Sequence, residues 1–183
     1  MAARTGLKAA AHLASLALAA QASALLGFPP SGPLLAAASR AALPGRFELL
    51  LGRPDWLVDG AHTARSLLRL SRDLELWFPG RPYRLLFGVA RDKRWRTAFR
   101  ILAGRAAEAL AVTLPGGRGV PAAELAGALP GKVLACPDLD EAYSRLIRGA
   151  VPGDLALATG SFRVAGRVRA LVLGAGEDTR RKG

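Results

Sequence analysis

The sequence has a single cysteine, Cys136, so no disulfide can form within the chain. It ends the apolar run Val133-Leu134-Ala135-Cys136 and reads as a small core side chain rather than a nucleophile. Aromatic residues make up only 6% of the chain. There is no zinc-finger spacing, no RNP-like aromatic motif and no helix-turn-helix pattern, so the common nucleic-acid modules find no support. The phosphate-cradling pattern G-x-x-x-x-G-K-[ST] is missing throughout, and no internal repeat is present. Acid is also scarce: 14 Asp and Glu stand against 26 Lys and Arg, for a net charge of +12. The excess is almost wholly arginine and is spread along the chain; the tight run is Arg180-Arg181-Lys182. Solvated basic faces explain this distribution, and a field of that sign also attracts phosphate-bearing ligands.

The Ala-rich segment 1–27 has the outline of a secretory signal, with Arg4 and Lys8 ahead of an apolar stretch. His12, Ser15, Gln21 and Ser23 interrupt it, which leaves it too weakly apolar to span a membrane. We read it as a helix that stops at Gly27, with Pro29 and Pro30 beyond, and the expected location as the cytoplasm. The Pro/Gly/Ala/Ser-rich segment 28–43 reads as a linker with a short helix over 34–42.

Past the linker, strand and helix patterns alternate. Strands are expected at 47–51 and 55–59, joined as a hairpin through Gly52-Arg53-Pro54, and at 83–89, 109–114, 132–136 and 154–159. Helices are expected at 64–78, 94–103, 121–128 and 139–148, the last capped by Asp138. The segment 162–173 fits helix or strand; Val164, Val168 and Val172 at four-residue spacing favour helix. This order predicts an α/β fold: a Rossmann-like three-layer domain whose mostly parallel sheet has a hairpin edge, preceded by the Ala-rich helix and linker.

The chemistry-bearing stretch is 43–68, where Pro44-Gly45-Arg46 precedes Asp59-Gly60-Ala61-His62-Thr63. The latter falls on a strand-to-helix turn, and ligands of open α/β sheets bind outside the carboxyl ends of strands. There a carboxylate can accept from a ribose hydroxyl or orient a base, and an imidazole can donate to phosphate or carboxylate. Equally, Asp59 can cap the helix and His62 can be held inside the turn. Arg46 can bind phosphate by its planar fork or be an exposed turn residue. Asp92 and Lys93 follow the strand at 83–89; they can set a polar ligand, or Asp92 can cap the next helix. Thr159-Gly160-Ser161 ends the last apolar strand, where hydroxyls and N–H groups can receive a carboxylate or Ser161 can cap a helix.

Three of these motifs, PGRFE…WLVDGAHT, LLFGVARDK and LATGS, occur in that order and resemble the C-terminal domain of folylpolyglutamate and dihydrofolate synthases, in the Mur ligase superfamily. The resemblance runs from the first helix to Val172. It implies that Arg46 and Asp59 contact ATP, that His62 and Asp59 are catalytic, that His62 and Ser161 lie on the glutamate side, and that Asp92 and Lys93 support the cleft. It implies ATP and Mg²⁺ in the complete enzyme, with the P-loop, the metal ligands and the folate site in an N-terminal ATPase domain that is separate or lost. On this reading 1–27 is a helix of that ATPase domain, 28–43 the linker, 44–175 the Mur ligase C-terminal domain and 176–183 a basic flexible tail. The first helix departs from the family's His-Gln-x-x-Asn pattern: Leu13 follows His12, and Leu16 takes the Asn place. The expected function is the glutamate and nucleotide side of an ATP-dependent acid–amino-acid ligase, not catalytic alone. A Mur-type ligase domain of other specificity, a non-catalytic binding fragment and a basic nucleic-acid binder are the alternatives.

Overall fold

The computed structural model describes residues 10–41 and 43–181. Helices α1 (Ala10–Leu25) and α2 (Gly32–Arg40) come first and pack on each other. Gly27, at φ +85°, follows the end of α1, and the Ser31 hydroxyl caps α2 by accepting from the Leu34 N–H. The body then alternates as expected: β1 (Glu48–Leu50), β2 (Asp55–Val58), α3 (Ala64–Trp77), β3 (Arg84–Phe87), α4 (Arg96–Arg105), β4 (Glu108–Val112), α5 (Ala122–Gly127), β5 (Val133–Cys136), α6 (Leu139–Ile147), β6 (Leu155–Thr159) and α7 (Phe162–Arg181). The segment left between helix and strand is thus helix α7, and its backbone stays helical to Arg181, through most of the stretch expected as a tail. Asp138 caps α6 as expected, accepting from the Glu141 N–H at 2.8 Å.

The six strands form one sheet in the order β1-β2-β6-β3-β4-β5, parallel except for β1, which pairs antiparallel with β2 as a hairpin edge. Central strands are apolar on both faces because helices cover both. Leu57, Leu85, Phe87 and Leu157 turn to one core with α3, α4 and α5. Trp56, Val58, Leu86, Ala156 and Ala158 turn to the other with α6 and α7. Each fully buried leucine contributes about 1.5–3 kcal/mol by leaving water.

Handedness explains the layering. The chain steps one way along the sheet from β2 through β3 and β4 to β5, so right-handed crossovers place α3, α4 and α5 on one face. From edge strand β5 it returns to β6 in the middle, and the reversed step puts α6 on the opposite face. The strand β6 therefore lies between β2 and β3, whose helices leave to one side, while its own helix α7 leaves to the other. That divergence opens a crevice beside the β6–α7 junction. Among the described residues no helix is long and apolar enough to cross a membrane.

Backbone closeness at that junction requires glycine. Gly160 sits at φ +97°, and a Cβ there would meet the Gly88 carbonyl oxygen at 2.6 Å. Gly160→Ala is expected to destabilise the fold by about 2–3 kcal/mol, through strain and overlap together. A urea midpoint equal to that of the parent chain would contradict this packing.

Candidate active site

The carboxyl ends of β2 and β6 are tied by backbone bonds. The Asp59 N–H donates to Ala158 O at 3.0 Å and the Gly160 N–H to Ala61 O at 3.0 Å. Asp59 then binds the edge hairpin: Oδ2 accepts from the Phe47 N–H and Oδ1 from the Ala61 N–H, each at 2.7 Å. Phe47 needs the help, since φ +47° costs a bulky residue about 1–2 kcal/mol. The Pro-Gly-Arg turn is held from its other end by Glu48, which is 5% exposed. Its Oε2 accepts from the Gly45 N–H at 2.8 Å and from Arg169 Nε at 2.9 Å, and the Gly60 N–H donates to Gly45 O at 2.8 Å. So the turn that carries Arg46 is pinned to the turn that carries His62.

Burial pushes the Asp59 carboxyl above the usual carboxylate range, opposed by its two backbone donors and by Arg46. Asp59 therefore does not cap α3. That task falls to Thr63, whose Oγ1 accepts from the Ser66 N–H, while Ser66 Oγ accepts from the Thr63 and His62 N–H groups. His62 Nδ1 lies 2.8 Å from the Gly60 carbonyl oxygen. A carbonyl only accepts, so Nδ1 carries the hydrogen and Nε2 is the nitrogen with a lone pair to offer.

Phe162, at the start of α7, was not anticipated from sequence. Its ring is 45% exposed and stands between two expected site residues: the Arg46 guanidinium lies 4.3 Å from the ring centroid and the His62 ring 5.9 Å away. Gly60 leaves the room for it, because a Cβ there would overlap the Phe162 ring. The only local sign was a lone aromatic after Thr159-Gly160-Ser161, indistinguishable from a core residue until the fold is known.

Two hollows lie nearby; Phe162 lines the second and touches Arg46 of the first. One, of about 330 Å³, takes Arg46, Asp59, Arg69 and Asp73 together with His12 and Ser15 of α1. Helix α1 thus lines the same hollow as Arg46 despite the leucines at 13 and 16. The other, of about 340 Å³, takes His62, Asp92, Lys93, Ser161, Arg118 and Arg163. Each expected site residue lies in one or the other. Ser161, 9% exposed, also caps α7 by accepting from the Val164 N–H at 3.1 Å; its hydroxyl hydrogen remains available to an acceptor. Asp92 does not cap α4, contrary to one of the two readings. The capping position belongs to Trp95, without a side-chain bond, because a turn intervenes after β3. Asp92 instead pairs with Lys93 at 2.6 Å, and that bond lowers its pKa. Arg118 and Arg163 were hidden by the abundance of arginine; Arg163 donates to Pro115 O at 2.5 Å.

Residues 45–162 match the family described as Mur ligase, glutamate ligase domain, and the chain belongs to that family. Among curated proteins none matches. Solved structures agree on the fold. The bifunctional folylpolyglutamate synthase/dihydrofolate synthase of Yersinia pestis, complexed with AMPPNP and Mn, superposes with a TM-score of 0.73 at 28% identity, over 86% of this chain and 39% of that one. A bifunctional synthase of the same name with Mn, AMPPNP and L-glutamate bound gives the same four figures: 0.73, 28%, 86% and 39%. E. coli FolC in complex with DHPP and ADP gives 0.72 at 25% identity, over 90% of this chain and 38% of that one. The chain therefore spans about two fifths of the length of these relatives, 38–39%.

The raised Asp59 value has a definite sign. A folded carboxyl that holds its proton more tightly than the unfolded one makes stability fall as pH rises from the ordinary carboxylate range through the folded value. Asp59→Asn should flatten that part of the stability–pH curve. An unchanged slope in urea unfolding across the window would reassign it to another group.

Proposed function

We propose that this chain is the nucleotide- and glutamate-side wall of an ATP-dependent acid–amino-acid ligase of the folylpolyglutamate synthase type, acting in the cytoplasm. The observation that carries the reading is a pair of hollows, with Arg46 and Asp59 in one and His62 and Ser161 in the other, whose Arg46 and His62 meet on the Phe162 ring. In the reaction, an oxygen of the acceptor's carboxylate, on a folate-type substrate, attacks the terminal phosphorus of ATP and ADP departs. The glutamate amine, having lost a proton, then attacks the acyl carbon; a C–N bond forms and phosphate leaves.

Arg46, already aligned by Phe162, lies against the nucleotide's phosphates with its planar fork. Asp59 holds the turn and faces the nucleotide hollow. His62 takes the ammonium proton at Nε2, a role supported by the Nδ1 contact to Gly60. Ser161 donates to a glutamate carboxylate, and Lys93 and Asp92 line the rim. Mg²⁺ in the complete enzyme supplies charge neutralisation on the phosphates. Among the described residues no three His, Cys, Asp or Glu side chains converge.

The opposite wall belongs to an ATPase domain. Exposed apolar side chains at Leu13, Leu18, Leu25, Leu26 and Phe28, on α1 and the turn after it, support a covering partner. A second reading, a binding fragment without catalysis, is favoured by the leucines at 13 and 16 in α1.

Calorimetric titration with AMPPNP and with L-glutamate tests the reading. Arg46→Ala should weaken AMPPNP by about tenfold, as expected when one charge-assisted contact worth about 1.5 kcal/mol is lost, and leave glutamate unaffected. His62→Ala should do the reverse. No heat with either ligand, and no glutamate ligation when the chain is mixed with a P-loop ATPase domain of this family, would leave the fold without the activity.

A further inference from the structure

One face of α7 meets the Pro44-Gly45-Arg46 turn at three points. Phe162, Ala165 and Arg169 stand at i, i+3 and i+7, so they share one side of the helix, with about 10 Å of rise from first to last. Phe162 lies under the Arg46 guanidinium, which is 4.3 Å from the ring centroid. Ala165, 1% exposed, faces Gly45: a Cβ on that glycine would stand 3.8 Å from the alanine Cβ. Arg169 reaches Glu48, its Nε donating to Oε2 at 2.9 Å and to Oε1 at 3.2 Å. Oε2 also accepts from the Gly45 N–H at 2.8 Å. The helix thus holds the side chain of Arg46 through a ring and the backbone just before it through a carboxylate.

The turn needs that hold. Gly45, at φ +66°, lets the chain bend where other residues resist, but glycine also has the most freedom to lose. Restraint has to come from outside the turn, and Glu48 with Arg169 supplies it. The Glu48 side chain is 3% exposed and that of Arg169 24%, so water and salt screen the pair little. Of the described residues, Glu48 and Arg169 line neither the nucleotide hollow nor the glutamate-side one. Their influence on a ligand runs through the turn.

We propose that Arg169 is a positioning residue for Arg46: through Glu48 it fixes the Pro-Gly-Arg turn on α7, so that the guanidinium fork is aimed before a nucleotide's phosphates arrive. The proposal rests on the ligase reading above. A group held in its binding geometry in advance loses little freedom when the ligand comes, and affinity rises accordingly. The His62 turn keeps supports of its own, the Thr63–Ser66 caps and the Asp59 N–H bond to Ala158 O. Loosening the Arg46 turn is therefore felt by the nucleotide and not by the amino acid.

The test combines ligand titration with amide exchange on the full chain. Removing Arg169 alone would strand the Glu48 carboxylate, so the informative variant is the double one, E48Q/R169M, which leaves no unpaired charge inside and should keep the fold. R169Q, which keeps a neutral donor opposite Glu48, is the second variant, read in the same way should the double variant lose the fold. In calorimetric titration E48Q/R169M should bind AMPPNP about fivefold more weakly and L-glutamate as the parent does. Hydrogen exchange at the Gly45 and Gly60 N–H groups, whose bonds hold the turn, should become faster. A tie that served the fold alone would weaken both ligands alike or neither. Parental AMPPNP affinity in the variant, equal losses for AMPPNP and glutamate, or unchanged exchange at Gly45 would each overturn the proposal and leave the ligase reading in place. A parent chain that binds no AMPPNP would sink the ligase reading by itself. Faster exchange at Gly45 in the variant would then still support Arg169 as the residue that fixes the turn, and unchanged exchange would remove that as well.

Discussion

Two backbone N–H groups end on one carboxylate, and the geometry of the site follows from that. Asp59 takes the Phe47 N–H with one oxygen and the Ala61 N–H with the other, each at 2.7 Å. One residue thereby joins the edge hairpin, which presents Arg46, to the strand-to-helix turn, which presents His62. The carboxylate is half-buried to do so, at a desolvation cost that shows in its raised pKa. Glu48 repeats the device one step away, accepting from Gly45 and Arg169. Both carboxylates accept from backbone donors, and Glu48 from Arg169 as well, which is how charges survive beside an apolar frame.

The sheet order supplies the rest. Because β6 returns to the middle of the sheet, between β2 and β3, the helix after it departs to the opposite face from its neighbours' helices. One crevice results there, lined by Phe162 at the head of α7; the other hollow lies between α1 and α3. Arg46 lines one hollow and His62 the other, and the two flank the same ring. The excess of arginine looked uninformative in composition. In the fold arginines tie elements together, such as Arg84 to Leu146 O and Arg169 to Glu48.

Much of the architecture was legible because its causes are local. Alternating apolar runs and helical spacings, the hairpin around Gly52-Arg53-Pro54 and the Asp138 cap all depend on residues near in sequence, and the structure has them. The family motifs marked Arg46, Asp59, His62 and Ser161, and these do gather at the strand ends. Other features were not legible. Asp92 looked like a helix cap, but the turn after β3 moves the start of α4 to Trp95 and leaves Asp92 to Lys93. Asp59 also looked like a cap, and Thr63 with Ser66 performs that task instead.

By itself, then, the sequence determined the element types, the parallel α/β class and the identity of the polar residues at the strand ends, since periodicity, turn chemistry and side-chain type act over a few residues. Only the tertiary structure decided that β6 inserts between β2 and β3, that Phe162 stands between Arg46 and His62, and that Lys93 lines the same hollow as His62 and Ser161. Those outcomes depend on crossover handedness and on contacts between residues as far apart as Arg46 and Phe162, which no local pattern records.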